Sequence, residues 1–271
     1  MWFKKLSRRW LGRRVAVAES STLRQQKAPR RSLRLNVEQL EDRTVPSSFT
    51  AATVSDLIAD INAANQVGGS NTITLVAGNS FSLTAADNST DGATGLPVIA
   101  ANDNLTLVGN GDTIARSAAA GTPAFRLLDV AFGASLTLEN LTLQNGVAAQ
   151  GSGVSAEGGA IYNQGTLDLN GVTVQKNIAN RAGGAISSHN GALTLEGATN
   201  VQSNAATGYV VRGRGFPVAG LGGGLYLAGG TAMLSNVNLS SNTAQGAPGF
   251  GQGANGFGGA VYIAFGAVTL T

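Results

Sequence analysis

Two glutamates, Glu139 and Glu196, come closest in the sequence to a catalytic carboxylate pair. Each ends a stretch that reads LTLE. If these stretches are strands two turns apart in a stack with a rise of ~4.8 Å, their carboxylates lie roughly 10 Å apart. That distance is at the far edge of the range of about 6.5–9.5 Å used by inverting glycosidases. Asn170 falls between them without a basic partner, so we interpret the pair as solvated surface.

A second candidate is the segment DNSTDG, residues 87–92, which begins like a calcium-binding loop. Asp87, Ser89, Asp91 and Gly92 fit its first, third, fifth and sixth positions. The twelfth position, where such a loop needs a bidentate Glu, is Val98. We therefore interpret the segment as a flexible polar loop and predict no bound metal or cofactor.

The remaining polar candidates are isolated. His189, in SSHNG, is the sole histidine and has no carboxylate or thiol next to it in the sequence, which is typical of an ordinary surface residue. Arg212 and Arg214, in RGRG, either contact an acidic polymer or belong to a solubilising loop. Both tryptophans, Trp2 and Trp10, lie in the N-terminal segment, so the rest of the chain offers no indole for sugar stacking. No catalytic residue is assigned.

Composition excludes several kinds of site and partner. The 271 residues include no Cys and one His, which excludes disulfides, thiolate ligands and histidine clusters for zinc. Of the 18 Lys and Arg residues, 12 lie in residues 1–46, whereas residues 47–271 hold 11 of the 15 Asp and Glu residues. We therefore predict no nucleic-acid partner for the body of the chain. No apolar stretch approaches the ~18 residues of a membrane span, so no transmembrane segment is predicted.

The N-terminal segment, residues 1–47, is interpreted as a disordered basic leader. Arginines interrupt every apolar run, so it lacks the uncharged core of a secretory signal. Its end, LNVEQLEDRTVPS, resembles the LEDR…P segment found near the start of many exported or surface proteins of planctomycete bacteria. Leu40, Glu41, Asp42, Arg43 and Pro46 carry this resemblance, which implies an extracellular or cell-surface location. The alternative is a basic leader with a chance acidic patch.

The elements that would position these residues are one helix followed by many short strands. Val54, Leu57, Ile58 and Ile61 form one apolar stripe and predict a helix over residues 53–65. Thr53 and Asp56 are spaced as a capping box at its start. Period-two patterns bounded by Gly and Asn then predict strands at residues 71–75, 103–109, 125–130 and 134–146.

From residue 158 onward a motif recurs, made of a Gly-Gly pair, three short strands and an asparagine. The pairs stand at residues 158, 183, 223 and 258. Glycine pairs are typical of corners that need backbone freedom. The longer spacings are interpreted as insertions in two glycine-rich stretches, 205–222 and 243–257, that loop out from one face.

The apolar pattern of each repeat predicts stacking. Leu167 and Leu169 share a face opposite Asp168, as Leu193 and Leu195 do around Thr194. One repeat thus buries about five large apolar side chains, too few to order ~25 residues alone, so repeats must stack as in solenoids. We predict an all-β parallel β-helix over residues 48–271, with an N-terminal capping helix and an open C-terminal end. An antiparallel sandwich is the alternative, but the Asn-Gly dipeptides follow the repeat rather than a hairpin rhythm.

Stacking of the repeats would align two further sets of side chains. Asn177, Asn204 and Asn242 each lie three residues after an apolar residue. We interpret them as a structural ladder at one corner, because asparagine tolerates a left-handed backbone and its amide can bond neighbouring backbone.

Three tyrosines form the second set: Tyr162, Tyr226 and Tyr262 each follow an inward residue of the Gly-Gly strand. Period two then turns them outward, with Ser187 in the same column. They are either ordinary strand residues or a surface-binding track for a glycan or partner.

The Gly-Gly motif carries a resemblance to a known repeat family. GGAI stands at residues 158–161 and 183–186, with GGGL at 222–225 and GGAV at 258–261. These resemble the polymorphic outer membrane protein repeat of chlamydial surface proteins and many bacterial β-helix proteins. That repeat has a downstream FxxN, in which Val174, Val201 and Leu239 replace the Phe here. Over roughly residues 104–271 the resemblance implies a right-handed parallel β-helix on an exported, surface-associated or secreted protein, and it implies no reaction.

Together these features favour a non-catalytic, exported or cell-surface segment with a structural or adhesive role. Its expected partners are surface polysaccharide or other cell-envelope components. The alternatives are a polysaccharide lyase or glycosidase whose site lies beyond residue 271, and a carbohydrate-binding protein. The chain ends after the second strand of a repeat, at GAVTLT, so we also expect self-association through an open coil end.

Overall fold

The computed structural model describes residues 46–149, 156–211, 214–249 and 252–271. Strands make up 49% of the structure and helix 6%, and the parallel sheets curl into a half-barrel beside one helix. The predicted all-β class with one helix is therefore confirmed. All but the last two residues of the predicted leader lie outside the described residues. Within the described ranges, no helix is long and apolar enough to cross a lipid bilayer.

The elements of the described residues are one helix and a series of short strands. The helix α1 spans Val54–Val67. The strands are, in chain order, β1 (Ser47–Ala51), β2 (Gly69–Leu75), β3 (Ser80–Leu83), β4 (Asp103–Val108), β5 (Thr113–Arg116), β6 (Leu128–Val130), β7 (Ser135–Glu139), β8 (Thr142–Gln144), β9 (Val147–Ala148), β10 (Ile161–Asn163), β11 (Thr166–Asn170), β12 (Thr173–Gln175), β13 (Ile178–Ala179), β14 (Ile186–His189), β15 (Ala192–Glu196), β16 (Asn200–Gln202), β17 (Ala205–Thr207), β18 (Gly220–Leu221), β19 (Leu225–Leu234), β20 (Asn238–Ser240), β21 (Thr243–Gln245), β22 (Gly256–Phe257) and β23 (Val261–Leu270).

Parallel pairing between successive repeats arranges these strands in rows. The long row contains β1, β2, β4, β7, β11, β15 and the second halves of β19 and β23. The short row contains β6, β10, β14 and the first halves of β19 and β23. β19 and β23 run through the corner between the two rows and join them into one sheet. Two further sheets follow the order β3-β5-β8-β12-β16-β20 and β9-β13-β17-β21, and β18 pairs with β22.

The repeat that begins at Gly158 contains four strands rather than the three predicted. After β10, β11 and β12, the two-residue strand β13 pairs with β9 on one side and β17 on the other. The stretches interpreted as insertions therefore begin with a regular strand, β17 or β21, and end with β18 or β22. The extra residues lie between these strands. The predicted strand over residues 134–146 is likewise divided, because Asn140 has a φ of 50° and turns the chain between β7 and β8.

The Gly-Gly pairs lie at corners, and stacking explains both glycines. Gly158, Gly183, Gly222 and Gly258 have φ between 60° and 66°, the left-handed region. The third pair thus begins at Gly222 rather than at residue 223. A Cβ on the second glycine would lie 2.2 Å from a carbonyl oxygen of the next repeat, at Gly159 as at Gly184. The first glycine turns the chain, and the second lets neighbouring backbones approach.

Stacking places like residues on like residues in the core. Leu105, Leu136, Leu167 and Leu193 are consecutive Cα partners along the long row, and all are buried. The predicted inward faces of these strands are therefore confirmed. The helix α1 has the predicted Thr53–Asp56 capping box and packs Leu57, Ile61 and Ala64 into the same core. Each large buried side chain stabilises the fold by about 1.5–3 kcal/mol.

The three asparagines stack at one corner through their side-chain amides. Nδ2 of Asn177 donates to Oδ1 of Asn204, and Nδ2 of Asn204 donates to Oδ1 of Asn242, both at 3.0 Å. Each acceptor oxygen also receives the backbone N–H of the asparagine in the preceding repeat, again at 3.0 Å. The left-handed residue is the one before each asparagine: Lys176, Ser203 and Ser241 have positive φ. Hydrogen bonding, rather than backbone freedom, therefore accounts for asparagine here.

We expect Asn204→Ala to lower the free energy of unfolding by about 2–4 kcal/mol, because it leaves buried amide groups of Asn177 and the Val174 carbonyl without their partner. Denaturant unfolding followed by circular dichroism measures this. Asn238→Ala is the matched control, since Asn238 is exposed on the neighbouring strand, and it should change stability by less than about 0.5 kcal/mol. Equal losses in the two variants would contradict the ladder's role.

Candidate functional site

The densest group of ionisable side chains in the described residues lies on the outer side of the short row. Asp129, Tyr162, Ser187, Tyr226 and Tyr262 are consecutive Cα partners there. Their neighbours inward along each strand are core residues such as Ile161 and Leu225, so the period-two phase of the tyrosines is as predicted. The column is not freely exposed, however, because Asp129, Ser187 and Tyr226 are buried.

His189 fills the gap that Ser187 leaves in the tyrosine column. It lies two residues after Ser187 and therefore on the same side of β14. Its ring centroid is 5.1 Å from that of Tyr162 and 5.7 Å from that of Tyr226, and Tyr226 and Tyr262 are 5.9 Å apart with nearly parallel rings. These distances are typical of interacting aromatic pairs. We call Tyr162, His189, Tyr226 and Tyr262 the ring file; part of each ring is buried against its neighbour.

Glu157 accepts three hydrogen bonds beside the ring file. Oε1 lies 2.9 Å from Nη1 of Arg181, and Oε2 lies 3.1 Å from Oγ of Ser187 and 2.5 Å from Nε2 of His189. Its side chain is only 2% exposed. Burial raises the pKa of Glu157, but the hydrogen bond and charge of His189, the charge of Arg181 and the hydroxyl of Ser187 outweigh it and hold the pKa below its usual value.

This arrangement does not activate Ser187 as a nucleophile. A carboxylate oxygen can only accept hydrogen bonds, so both the Ser187 hydroxyl and Nε2 of His189 donate to Glu157. Nε2 is also the ring atom nearest to Ser187, at 3.1 Å. With its proton directed to Glu157, Nε2 has no lone pair to accept the serine proton, which a Ser–His pair requires. The Glu157 cluster, made of Glu157, Arg181, Ser187 and His189, is therefore a buried carboxylate that is paired with the exposed Arg181 and hydrogen-bonded by Ser187 and His189.

Arg126 and Asp129 lie at the other end of the ring file. The guanidinium of Arg126 is 4.8 Å from the ring centroid of Tyr162, within cation–π range. Asp129 is fully buried, and neither carboxyl oxygen has a hydrogen-bond partner among the described residues. Burial raises the pKa of Asp129, the charge of Arg126 opposes this rise, and the charge of Asp91 adds to it. Together they place the pKa at about 6. Burial also raises the pKa of Tyr162, to about 12.

The pKa of Asp129 is raised and that of Glu157 is lowered, so Asp129 stays protonated to a higher pH than Glu157 does. Such a contrast is typical of a general acid and a general base. Both residues have relative exposures of 1% or less, so in this conformation no substrate reaches either carboxyl group. What the contrast determines directly is how the stability of the fold depends on pH.

The structure corrects the interpretation of His189 as an isolated surface residue. It has a carboxylate partner, Glu157, which is 32 positions away in the sequence. Sequence reasoning also missed Arg126 and Asp129, although charged residues inside the apolar strand FRLLDV were an available signal. The signal for Glu157 was weaker. It immediately precedes a Gly-Gly pair, and small Ala182 is its bridge partner in the next repeat.

The other predicted residues lie apart from this cluster. Glu139, Asn170 and Glu196 are Cα partners in one column of the long row, as the spacing predicted. In the loop 87–92, Oδ2 of Asp91 accepts from Nε2 of Gln164 at 2.9 Å. No group of three potential metal-ligating side chains converges within the described residues. Arg214 is exposed, whereas Arg212 lies outside the described residues. The role of the tyrosines as a binding track stays a prediction.

Comparison of the chain with protein-family models, with curated proteins and with solved structures finds no match.

We expect Asp129→Asn to stabilise the protein at pH 8 and to leave it unchanged near pH 4. The folded-state pKa of about 6 exceeds the ordinary value of 3.8, so the folded state holds more protons between these values. The wild type therefore loses stability as pH rises from 3.8 to about 6, by about 3 kcal/mol at 1.36 kcal/mol per pKa unit. Asparagine resembles the neutral acid and removes this loss.

Denaturant unfolding of both proteins across pH 4–8 tests this prediction. Asp168→Asn, on the half-buried outer side of β11, is the control and should give a curve parallel to that of the wild type. Parallel curves for Asp129→Asn and wild type would show that Asp129 ionises normally in the fold.

Glu157→Gln should have the opposite pH dependence. The lowered folded-state pKa means that Glu157 stabilises the fold above its unfolded value of 4.5, and that this contribution disappears as pH falls through the folded-state pKa. We expect a loss of about 1–3 kcal/mol at pH 7, because Arg181 and His189 lose their buried counter-charge. The deficit should shrink below pH 4.5. Glu139→Gln serves as the control, and a pH-independent deficit would refute the ionic role.

Proposed function

We propose that residues 48–271 form a right-handed parallel β-helix that acts, outside the cell or at its surface, as a non-catalytic structural and adhesive segment. Parallel pairing in constant register between repeats supports the β-helix. The LEDR…P segment and the Gly-Gly repeat support export to the surface, through the resemblances that they carry. The expected partners are surface polysaccharides or other envelope components.

The observation on which the adhesive role rests is the outer side of the long row. Its central column contains eight positions in consecutive strands: Ser48, Thr72, Thr106, Thr137, Asp168, Thr194, Met233 and Thr269. All of them except Asp168 are uncharged. A second column beside it is also uncharged: Ser70, Asn104, Ser135, Thr166, Ala192, Thr231 and Ala267. Parallel strands repeat these groups about every 4.8 Å. The result is an extended surface of hydroxyl, methyl and amide groups.

The charges of the fold support binding rather than catalysis on this surface. Glu157 and Asp129 are buried behind the short row. On the long row, the column Glu139, Asn170 and Glu196 separates its two carboxylates by an uncharged residue. A largely uncharged surface suits a polymer that is itself rich in hydroxyl groups, since few charges must be desolvated on binding.

A second candidate, polysaccharide cleavage, is favoured by one observation only, the difference in protonation between Asp129 and Glu157. It requires a movement that exposes both groups to substrate. The two candidates make different predictions for the same assay.

Co-sedimentation of the full chain with insoluble cell-envelope material and with acidic and neutral polysaccharides tests both. Adhesion predicts that the protein sediments with at least one polymer without releasing new reducing ends or unsaturated uronates. Release that disappears in Asp129→Asn and Glu157→Gln would establish cleavage instead. Absence of sedimentation with every polymer would overturn the adhesive role.

A further inference from the structure

A groove follows the corner between the short row and the long row. It has a volume of about 460 Å³ and is lined by four successive turns, residues 102–104, 132–135, 164–166 and 190–192. We call it the corner groove. Volumes of roughly 300–1,000 Å³ are typical of small-molecule sites. Because it crosses the starts of β4, β7, β11 and β15, it extends about 14 Å along the stacking direction.

The floor of the corner groove has almost no side chains. Ala134, Gly165 and Gly191 occupy equivalent positions there, one residue before the partners Ser135, Thr166 and Ala192. A Cβ on Gly165 would lie 2.4 Å from the carbonyl oxygen of Ala134, and one on Gly191 would lie 2.3 Å from that of Gly165. Close stacking of the backbones therefore excludes any side chain at Gly165 and Gly191, whereas Ala134 and, in the first turn, Asp103 occupy the equivalent positions.

The two rims present different uncharged polar groups. One carries Asn190 and Gln164, whose Nε2 already donates to Oδ2 of Asp91, and the other carries Asn104, Ser135 and Thr166. No lining residue is basic, and the one acidic residue, Asp103, is 1% exposed with Oδ1 bonded to Nδ2 of Asn71. The chemistry of the accessible rims is therefore that of amides and hydroxyls, which bond to hydroxyl groups and do not neutralise a charged ligand.

Phe132 adds a large apolar surface to the same groove. Its side chain is 78% exposed, the most exposed of the large apolar residues in the described part of the chain. It belongs to the turn between β6 and β7 and contributes to the groove wall. Exposure of a whole phenyl ring has a hydrophobic cost that a bound apolar surface would recover. The carbon-bound faces of a pyranose ring supply such a surface, and its edges carry hydroxyl groups.

We propose that the corner groove binds a neutral glycan chain that lies along the stacking direction, with Phe132 contacting a sugar face and with Asn190, Asn104 and the amide oxygen of Gln164 bonding to hydroxyls. The rise of one strand per step, about 4.8 Å, is comparable with the length of one pyranose unit in an extended chain, so successive sugars meet successive turns. The inference deepens the adhesive role proposed above and rests on it.

Isothermal titration calorimetry of the full chain with cello-, chito-, manno- and xylo-hexaose, and with hexagalacturonate as the charged comparison, tests the proposal. We expect at least one neutral hexaose to bind and hexagalacturonate to bind more weakly. Phe132→Ala should weaken the neutral hexaose about tenfold, the loss of a large contact surface, while Phe132→Trp retains binding. Phe216→Ala is the matched control, because Phe216 is 65% exposed outside the groove, and it should bind like the wild type.

Failure of this inference differs from failure of the adhesive role. Suppose that the protein sediments with envelope polysaccharide. If Phe132→Ala then binds hexaose as the wild type does, or if no neutral hexaose binds, the groove is not the glycan site and another surface is responsible for adhesion. Preferred binding of hexagalacturonate would also overturn it. If nothing sediments with any polymer, the adhesive role itself falls. Thermal unfolding of Phe132→Ala should match that of the wild type, since the ring is exposed, so lost binding cannot be attributed to misfolding.

Discussion

In-register parallel stacking of the repeats is the constraint on which the rest of this structure depends. Each repeat completes its backbone hydrogen bonds with the next. The residue at one position therefore packs against the residue at the same position one repeat away. Leu167 lies between Leu136 and Leu193, and Gly159 must remain glycine because the next backbone lies within 2.2 Å of where a Cβ would be. A residue at a given position must therefore also fit its neighbours in the column. This explains why the repeats have similar residues at buried positions and differ at exposed ones.

The same constraint explains how buried charges are tolerated on the short row. In the column of Tyr162 and Tyr226, the small Ser187 leaves a space that the ring of His189 enters. That ring brings Nε2 to Glu157, whose other oxygen is bonded to Arg181. A buried carboxylate costs several kcal/mol unless it is paired and hydrogen-bonded. Three donors to Glu157 offset this cost. Asp129, without such donors among the described residues, meets it instead by a raised pKa.

Most of the scaffold could be predicted from the sequence because its signals are local or strictly periodic. The capping box of Thr53 and Asp56, the inward faces of Leu167 and Leu169 and the register of Glu139 with Asn170 all follow from spacing alone. The partner of His189 could not be predicted in this way, because Glu157 precedes a corner in another repeat and reaches the ring only after both have stacked. The fourth strand was missed for a related reason, since β13 has two residues, Ile178 and Ala179, too few for period two to be visible.

The unequal lengths of the repeats are accommodated in the connections between strands. The pairs beginning at Gly183, Gly222 and Gly258 are farther apart than the first two, yet Ile186, Leu225 and Val261 remain Cα partners. The added residues lie between β17 and β18 and between β21 and β22, where lengthening a loop costs little because closure entropy grows slowly with length. Leu221, at the end of the first addition, packs against the buried cluster of Ala182, Tyr226 and Ala228. The turns between the short row and the long row also differ in length, with four residues between Val130 and Ser135, two between Asn163 and Thr166 and three between Ser188 and Ala192. In-register pairing therefore fixes the strands on both sides of a corner, because their residues must remain partners, and it leaves the length of the connection between them free to vary.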